Sequence, residues 1–500
     1  MTKRKVTLAL GAVFVLGLVA RIIALVSENP HHPDEFFQYL EPAWHHLTGA
    51  GVETWEWRRG VRSWALPGYN GAWMALLLKL GLHSGVGVAR LLRLHWALLS
   101  LALVWAGWRG GSLVARRLGA HPQLASEPPR GAETREGIET LPGVPSRDRG
   151  WQGGLAAATL CACFPWLVRF SVHTFSELAS TLCLTVALVL AGELVEAVPA
   201  RRYVKALFVG AMLGLGVGLR VQYGLVAPVL GIWLLVGRRF RQLAVVVLAS
   251  VAVLLLFGFL DLITWKSFFA SYVRYVQFNF VEGGADAFFG TLPMKWYWAQ
   301  LFHRLPYGLA VLALACALGL RQSWALVLAA VAVVGLHSFL GHKEERFVTL
   351  FWPLVLIAAG GYIGTWAGRA KADHARWPRS PRLRLSLAAA VIVGLLVDGG
   401  LHCGGNDFTL PPARFAAQAW VGRQADLTGL IYDEPLYVGG YLWFGRSLPQ
   451  VQFKSDLLDN PLFSHVLARR DSNQARLAER AGFEVVHSAG DFVVLKRRRP

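Results

Sequence analysis

Long apolar runs, repeated along almost the whole chain, most constrain what this sequence can fold into. Many of them extend for about 18 to 21 residues, the length that an α-helix needs to cross the hydrocarbon core of a bilayer. The mean hydropathy is +0.42, and 54% of the 500 residues are hydrophobic, which is more than soluble domains usually contain. The sequence therefore predicts an α-helical polytopic membrane protein.

About eleven transmembrane helices are predicted. They cover residues 6–26, 89–108, 152–168, 177–197, 204–219, 222–237, 243–262, 304–320, 322–340, 347–366 and 385–401. The first run is full length, follows Lys3, Arg4 and Lys5, and lacks a small-residue cleavage site. An uncleaved helix with a cytoplasmic N-terminus is therefore favoured over a signal peptide.

The apolar stretch 67–82 is harder to place. If it spanned the membrane, Arg109, Arg116 and Arg117 would lie outside together with most later basic loops. We interpret it as an amphipathic or partly embedded helix on the outer face. The assigned cytoplasmic segments then contain 23 Lys and Arg residues, as the positive-inside rule expects. These segments are 1–5, 109–150, 201–205, 238–241, 321 and 369–384.

The net charge of +19 is explained by these short basic clusters between spans, so no nucleic-acid partner is predicted. Cys161, Cys163, Cys183 and Cys316 fall inside predicted spans and Cys403 stands alone, which indicates neither a disulfide framework nor a zinc site. The pairs His31-His32 and His45-His46 also lack ligand spacing. We predict no metal.

Two domains are predicted. Residues 1–401 form the transmembrane domain, in which 27–88 is an external loop with surface helices. Residues 109–150 form a cytoplasmic loop whose segment 120–150 is rich in Pro, Gly and charge and should be flexible. Residues 402–500 form a small α/β domain outside the membrane, with strands at 429–432 and 492–495 and a helix over 461–482 that ends at Gly482.

In this topology the unusual polar residues converge on the non-cytoplasmic face. They lie in the loop 27–88, the turn 173–177, the loop 262–303 and the segment 341–347. A transporter more often carries ionisable groups near the bilayer midplane, in broken helices related by an inverted repeat. No such repeat is visible, so chemistry at the outer lipid surface is favoured.

Three short motifs occur in these polar segments: HPDE beginning at His32, TWEW beginning at Thr54 and HKEERF beginning at His342. In this order they resemble glycosyltransferase family 22, the GT-C-type mannosyltransferases that extend the glycosylphosphatidylinositol anchor and the lipid-linked N-glycan precursor. The resemblance covers roughly residues 6–366. The chain departs from the family pattern at Ser176-Glu177, at Arg220-Val221 and in its C-terminal domain.

The resemblance implies a GT-C fold and a glycosyltransferase that transfers its sugar with inversion of configuration at the anomeric carbon. The transferred sugar would be a hexose, with mannose as the expected one. It would move from a polyprenyl-phosphate carrier to a hydroxyl of a lipid-linked or surface glycan. The implied partners are this lipid donor, the glycan or glycolipid acceptor and the bilayer. No cofactor besides the donor is expected.

Such a transfer needs a carboxylate that accepts the proton of the attacking hydroxyl and a cationic site for the departing phosphate. Asp34 is the predicted base, with Glu35 as the alternate or as a positioning group. Lys343 and Arg346 are predicted to bind the phosphate, because Arg offers a planar fork and Lys a point charge. His342, Arg62 and Arg220 are additional phosphate candidates. The predicted substrate-binding set is Trp55, Glu56, Trp57, Glu177, Asp261 and Glu345.

Structural alternatives exist for these roles. Asp34 and Glu35 could cap the surface helix that begins there, and the charges of 343–346 could form interfacial ion pairs among themselves. Trp55 and Trp57 could belong to the aromatic belt of the membrane interface instead of stacking on a sugar.

Instead of orienting the acceptor, Glu177 could simply accept hydrogen bonds within its own turn. Glu56 and Asp261 could be charges at helix ends without a role in binding. Two other function classes remain: a glycolipid transporter, or another GT-C transferase with a different sugar or a protein or lipid A acceptor.

The abundance of Ala, Gly, Arg and Trp favours a bacterial plasma membrane with the site on the external face. In a eukaryote the location would be the endoplasmic reticulum membrane.

Overall fold

A computed structural model describes residues 2–27, 32–119, 150–194, 199–368, 380–402, 412–433 and 440–498. Residues 120–149 of the predicted flexible loop, His31, Cys403 and most of the predicted basic segment 369–384 lie outside the described residues.

The first 402 residues are built almost entirely of helices. The α-helices are α1 (Lys3–Ser27), α2 (Glu41–Thr48), α3 (Trp55–Arg59), α4 (Ala65–Lys79), α5 (Gly85–Leu99), α6 (Ala102–Gly119), α7 (Trp151–Cys163), α8 (Pro165–Phe170), α9 (Ser176–Leu194), α10 (Pro199–Leu219), α11 (Val226–Val236), α12 (Phe240–Trp265), α13 (Ala270–Val276), α14 (Gly284–Phe289), α15 (Trp296–Arg304), α16 (Gly308–Leu318), α17 (Leu320–Phe339), α18 (Phe351–Gly368) and α19 (Pro381–His402). Short π-helices cover Glu35–Leu40 and Gln277–Val281, and 3₁₀-helices cover Val221–Leu225 and Glu345–Val348.

Eight helical stretches among the described residues are long and apolar enough to cross a membrane. They belong to α1, α5 with α6, α9, α10, α12, α17, α18 and α19, and α15 with α16 would count as a ninth despite a bend of 105°. The two other predicted spans, 152–168 and 222–237, fall on shorter helices. The first is broken at Phe164, where Pro165 begins the next helix and lacks an N–H group for the helical ladder. The protein is a multi-pass membrane protein.

Helix α4 covers most of the stretch 67–82. Its 15 residues span about 22 Å, less than the hydrocarbon core of about 30 Å, and it is not among the eight candidate spans. One side of the helix, with Leu66, Asn70 and Met74, is buried. These properties agree with the predicted helix at the membrane surface.

Close helix packing at the centre of the bundle depends on small residues. A Cβ atom at Gly111 of α6 would lie 2.4 Å from the carbonyl oxygen of Gly153 on α7, and one at Gly153 would lie 2.8 Å from the carbonyl oxygen of Gly361 on α18. Small residues let helix backbones approach closely inside a membrane, where packing and polar contacts hold helices together. Helices α6, α7 and α18 therefore form a tight central group.

Arg21 is a charged residue inside this bundle. It is fully buried, and its Nε donates to Ser100 Oγ at 2.6 Å, while its Nη1 donates to the carbonyls of Gly17 and Ala162, each at 3.0 Å. An ionisable group at membrane depth requires such internal partners. Arg21 thereby joins α1 to the C-terminal end of α5 and to α7.

The C-terminal region contains a mixed five-stranded sheet. Its strands are β1 (Leu430–Tyr432), β2 (Gln450–Gln452), β3 (His465–Arg469), β4 (Phe483–Ala489) and β5 (Phe492–Arg497), in the order β2-β1-β3-β5-β4. Strand β1 pairs in parallel with β2 and β3, whereas β5 runs antiparallel to β3 and β4. The helices of this region are α20 (Pro412–Val421), α21 (Gly440–Phe444) and α22 (Asn473–Arg480), and Ser455–Asp459 is a 3₁₀-helix.

The two strands predicted from the sequence are present, but the predicted helix over 461–482 is wrong in its first half. Residues His465–Arg469 form β3, because this apolar stretch is buried between β1 and β5. The helix begins only after Ser472, whose side chain accepts a hydrogen bond from the Ala475 N–H as an N-cap. It ends just before Gly482, as predicted.

The tight central packing yields a test with a matched control. Gly111→Ala should lower the free energy of unfolding by about 1–3 kcal/mol, the usual effect of overpacking, because the added methyl group meets the backbone of α7. Gly335→Ala, also inside a helix but with open space around the new Cβ, should not lower stability. Thermal unfolding of the purified variants measures both, and equal melting temperatures would contradict the packing argument.

Candidate active site

Asp34 lies at the start of a continuous helical segment at one end of the membrane bundle. The π-helix Glu35–Leu40 follows it and leads into α2, which ends at Gly49 in the left-handed region with φ 74°. Asp34 has helical backbone angles, but its side chain makes no capping hydrogen bond. The alternative that Asp34 only caps this helix is therefore not supported.

Arg346 is the main partner of Asp34, although 312 residues separate them. Arg346 Nη2 donates to Asp34 Oδ2 at 2.5 Å, and its Nε donates to Glu344 Oε2 at 2.6 Å. The same Nε lies 3.6 Å from Glu177 Oε1, and His342 Nε2 lies 3.0 Å from the other oxygen of Glu344. The structure thus brings residues from three predicted polar segments together around one guanidinium.

The charges in this network fix its protonation. Burial alone would raise the pKa of Asp34, but Arg346 and His32 beside it hold that pKa well below its usual range. Burial also opposes ionisation of Glu344, yet Arg346 and His342 lower its pKa to about 2. Both carboxylates are therefore ionised at neutral pH.

An open cleft lies beside this network, with about 610 Å³ of empty space when the solvent at its mouth is included. Its polar lining includes Gln38, Tyr39, Arg62, Ser176, Arg220 and Tyr275. Arg220 lies at the break between α10 and the next 3₁₀-helix, and its Nη1 contacts Glu177 Oε1 at 3.0 Å. Glu177 therefore links the wall of the cleft to the pair of Asp34 and Arg346.

Arg62 is the second guanidinium in the cleft lining. Its Nε donates to Glu56 Oε1 at 3.0 Å, and Gln38 Nε2 donates to the same oxygen at 3.2 Å. Burial raises the pKa of Glu56, while Arg62 opposes that shift. Trp57 is buried close by, and its Nε1 donates to the carbonyl of Phe37 at 3.0 Å. Two members of the TWEW motif thus hold the segments that carry Arg62 and Gln38.

Lys343 and His342 lie outside the cleft lining. The Lys343 ammonium donates to the carbonyls of Leu292 at 2.8 Å, of Gly341 at 3.4 Å and of Leu340, which directly follows α17. A cation there satisfies carbonyls at a helix C-terminus. The sequence ranks Lys343 above Arg62 and Arg220 as a phosphate ligand, whereas the structure places the two arginines in the cleft.

All six predicted substrate-binding residues lie outside the cleft lining. Glu56 and Glu177 pair with the lining residues Arg62 and Arg220, and the other four are Trp55, Trp57, Asp261 and Glu345. Trp55 stacks on Phe288 at a ring distance of 6.0 Å, and Glu345 accepts from Arg304 Nη2 at 2.9 Å. Asp261 accepts from the Oγ and backbone N–H of Ser271, which does line the cleft. Asp261 is thus one contact away from the cleft.

Glu35, the predicted alternate base, is fully buried. Its carboxylate lies 2.9 Å from His173 Nδ1 and 3.9 Å from Arg93 Nε, and it accepts from the Thr174 N–H at 3.3 Å. These contacts tie the helical segment after Asp34 to the turn before α9. They favour the positioning role over the role of base.

One group of side chains has the composition of a metal site. Potential ligand atoms of His32, Asp34 and Glu344 lie within 4.8 Å of one another. However, Arg346 already contacts both carboxylates, and its positive charge would repel a dication at that distance. The donor set therefore fits a metal poorly, and the predicted absence of a metal stays a prediction.

Several cleft residues are not singled out by the sequence. Gln38 and Tyr39 follow the HPDE motif directly, and their place in a helical segment beside Asp34 is a signal that could reveal them. Ser176 precedes Glu177, and its Oγ lies 2.9 Å from the Tyr39 hydroxyl. Tyr275 has no local signal, because α13 reaches the cleft only through the packing of a long loop.

The family follows from a sequence comparison. The model of the Alg9-like mannosyltransferase family matches residues 12–402. The chain belongs to the Alg9-like mannosyltransferase family. The resemblance predicted from the three motifs is confirmed.

Two relatives illustrate the likeness of this family member to known mannosyltransferases. GPI mannosyltransferase 3 of Yarrowia lipolytica is 29% identical over 339 residues, which cover 67% of this chain and 59% of the relative. Mannosyltransferase APTG1 of Arabidopsis thaliana is 26% identical over 421 residues, or 75% of this chain and 65% of the relative. The chain thus spans less than two thirds of the length of either relative.

The fold of this family member is similar to a solved structure over nearly the entire chain. Crystalline ArnT from Cupriavidus metallidurans bound to undecaprenyl phosphate matches with a TM-score of 0.62 at 14% identity, and the match covers 99% of this chain and 98% of ArnT. The predicted GT-C fold is confirmed, and the likeness includes the C-terminal sheet region.

The burial of Glu35 yields a test that separates positioning from chemistry. Glu35→Gln should lower the free energy of unfolding by about 3 kcal/mol, because loss of a buried charge leaves its partners uncompensated. Transfer by the folded fraction should fall by no more than about 10- to 100-fold, because a positioning residue acts only through the placement of Asp34. Thermal unfolding and activity per folded molecule check this against the exposed control Glu53→Gln. Lost transfer at unchanged stability would make Glu35 a catalytic group.

Proposed function

We propose that this protein is an inverting membrane mannosyltransferase that moves mannose from a polyprenyl-phosphate carrier to a hydroxyl of a lipid-linked or surface glycan. The observation that carries the proposal is the ionised Asp34 carboxylate in a guanidinium network beside an open cleft that Arg62 and Arg220 line. Membership of a mannosyltransferase family supports the sugar. The undecaprenyl phosphate bound to the similar ArnT structure supports a lipid-phosphate donor.

The donor phosphate binds to Arg220 and Arg62, the guanidiniums in the cleft lining. Each is already paired with a single carboxylate, Glu177 and Glu56 respectively. An Arg side chain keeps further N–H groups for a second anion and presents them in a planar fork that suits phosphate oxygens. Because the leaving phosphate gains negative charge in the transition state, these cations stabilise that state more than the ground state.

Asp34 acts as the base once the donor has altered its pairing with Arg346. A base works best when its pKa lies near the operating pH, and the ion pair holds the pKa of Asp34 far lower. The donor phosphate competes for the Arg346 guanidinium, which three carboxylates share. Weakening the pair raises the pKa of Asp34 because its burial disfavours the charge.

The transfer then proceeds in one displacement. The acceptor hydroxyl oxygen attacks the anomeric carbon from the face opposite the phosphate, and Asp34 takes the hydroxyl proton. The bond between the anomeric carbon and the phosphate oxygen breaks, and its electron pair leaves with the polyprenyl phosphate. The products are the inverted glycoside, the lipid phosphate and protonated Asp34. This chemistry requires no cofactor.

We place the site on the non-cytoplasmic face, since the predicted basic loops lie at the other ends of the spans. In a bacterium this is the external face of the plasma membrane, and in a eukaryote it is the lumenal face of the endoplasmic reticulum. The domain division into 1–401 and 402–500 is part of the same proposal.

Replacing the base is the direct test. Asp34→Asn keeps the size of the side chain but cannot accept the proton, so transfer should fall by about 10²–10⁴-fold while the donor still binds. The assay follows radiolabelled mannose from a short-chain polyprenyl-phosphate-mannose to lipid-linked acceptors. Wild type and Glu53→Gln should give equal product. Full activity of Asp34→Asn would show that Asp34 is not the base. If wild type transferred sugar only from a glucose-bearing carrier, mannose would be excluded as the transferred sugar.

The pH profile tests the pairing with Arg346. Arg346→Gln removes the cation that holds the pKa of Asp34 low, and the remaining burial raises that pKa. Since kcat/KM reports the free enzyme, its acid limb should move to higher pH in the variant. An acid limb at the same pH in wild type and variant would contradict the assigned pair.

A further inference from the structure

Glu41 is a fully buried carboxyl group in the segment that carries Asp34, and the transfer mechanism does not use it. Its Oε1 accepts the N–H groups of Val52 at 3.1 Å and of Tyr441 at 2.7 Å, and its Oε2 accepts the N–H group of Leu442 at 3.1 Å. Two of the three donors belong to the C-terminal region, 400 residues away. Glu41 therefore bridges the external loop and α21.

This contact consists of hydrogen bonds. Among the residues that the structure describes, no Lys, Arg or His side chain makes a salt bridge with Glu41. Burial raises the pKa of Glu41 to about 7, although its three N–H partners oppose the shift. A buried carboxyl group that lacks these donors would be strongly unfavourable, so the contact ties the two regions to each other.

Glycines on both sides allow the close approach. Gly440 has φ 57°, and a Cβ atom there would lie 2.4 Å from Glu41 Cδ. A Cβ atom at Gly85, at the start of α5, would lie 1.8 Å from the carbonyl oxygen of Leu442. The backbone of α21 thus contacts the membrane domain directly. Side chains at Gly440 and Gly85 would hold the two apart.

A second contact lies nearer to the catalytic carboxylate. Phe36, two residues after Asp34 and 1% exposed, stacks on Phe415 at a ring distance of 5.6 Å and meets the edge of Trp443 at 5.9 Å. Trp443 Nε1 in turn donates to the carbonyl of Phe415 at 3.0 Å. Phe415 of α20 and Trp443 of α21 therefore pack around Phe36, the second residue of the π-helix.

We propose that the C-terminal α/β region, described over residues 412–433 and 440–498, is a positioning element for the transfer reaction, and that Glu41 is the positioning residue through which it holds the Asp34 segment. Together with Phe36, Glu41 holds the Asp34 segment in register with Arg346. This inference rests on the proposed function, because it assigns Asp34 the role of base. Loosening the contact displaces the base without removing any donor-phosphate ligand, so kcat falls while KM for the donor stays the same.

Two variants break the contact from opposite sides. Glu41→Gln keeps the shape but turns an NH₂ group toward an N–H donor, and Gly440→Ala inserts a methyl group against the carboxyl carbon. A misplacement of about 1 Å can lower the rate about 10²-fold, so each variant should lower kcat about 10- to 100-fold. Because both break one contact, the double variant should be little worse than either single variant.

Matched controls separate positioning from general damage. Glu53→Gln makes the same chemical change at an exposed position, and Gly482→Ala adds a methyl group at φ 85° in the same region with no neighbour within 4 Å. Both should leave kcat unchanged. Equal kcat in Glu41→Gln and wild type would overturn the proposal, and so would a loss of kcat that is the same in Gly482→Ala and Gly440→Ala.

A second measurement does not depend on the transfer assay. Hydrogen exchange of the full-length protein should be faster in Glu41→Gln than in wild type for backbone amides of residues 34–44, with no change in α9 or α18. Unchanged exchange in 34–44 would overturn the positioning role even if the substrate is not mannose. Faster exchange together with inactive wild type would support the positioning element and count only against the proposed donor or acceptor.

Discussion

A buried charge must have a partner, and this requirement determines how the segment after the first membrane span is held. Within eight residues the segment carries three carboxyl groups, and each finds its partner in a different part of the chain. Asp34 pairs with Arg346, Glu35 with His173, and Glu41 with backbone N–H groups of the C-terminal region. Glu35 and Glu41 are fully buried and Asp34 is partly buried, and an unpaired buried carboxylate is strongly unfavourable. Three distant parts of the protein must therefore be in place together before the segment can settle.

Two guanidinium groups beside the cleft are buried cations and likewise need partners of opposite charge. Arg220 and Arg346 both contact Glu177, at 3.0 and 3.6 Å, and both stack on the ring of Phe347, at 4.7 and 5.4 Å. The shared carboxylate and the negative face of the aromatic ring reduce the repulsion between the two cations. A site built in this way keeps positive charge beside the cleft in advance, and in the proposed transfer such preorganisation favours a charged transition state.

Much of this arrangement is readable from the sequence, because spans of alternating direction bring the ends of distant loops to one face of the membrane. That reasoning places Asp34, Glu177 and Arg346 together. It does not reveal which cation faces the cleft, since the direction of Arg220 depends on the break after α10 and that of Lys343 on carbonyls left free at the end of α17. The sequence wrongly predicts a helix where β3 lies for a related reason: the strand forms through pairing with β1 and β5 on its two sides, and such pairing outweighs local propensity.

The 400 residues between Glu41 and Tyr441 also set the order in which the molecule is finished during its synthesis. The Asp34 segment leaves the ribosome early, but its last partners follow only after the entire membrane bundle has been made. At about 5–20 residues per second, this delay is roughly 20–80 s. Until then the hydrogen bonds of Glu41 with Tyr441 and Leu442 cannot form, and the segment that carries Asp34 lacks this support. A nascent chain that stops short of α21 therefore leaves Glu41 without two of its three partners, so the contact can form only after translation has reached the C-terminal region.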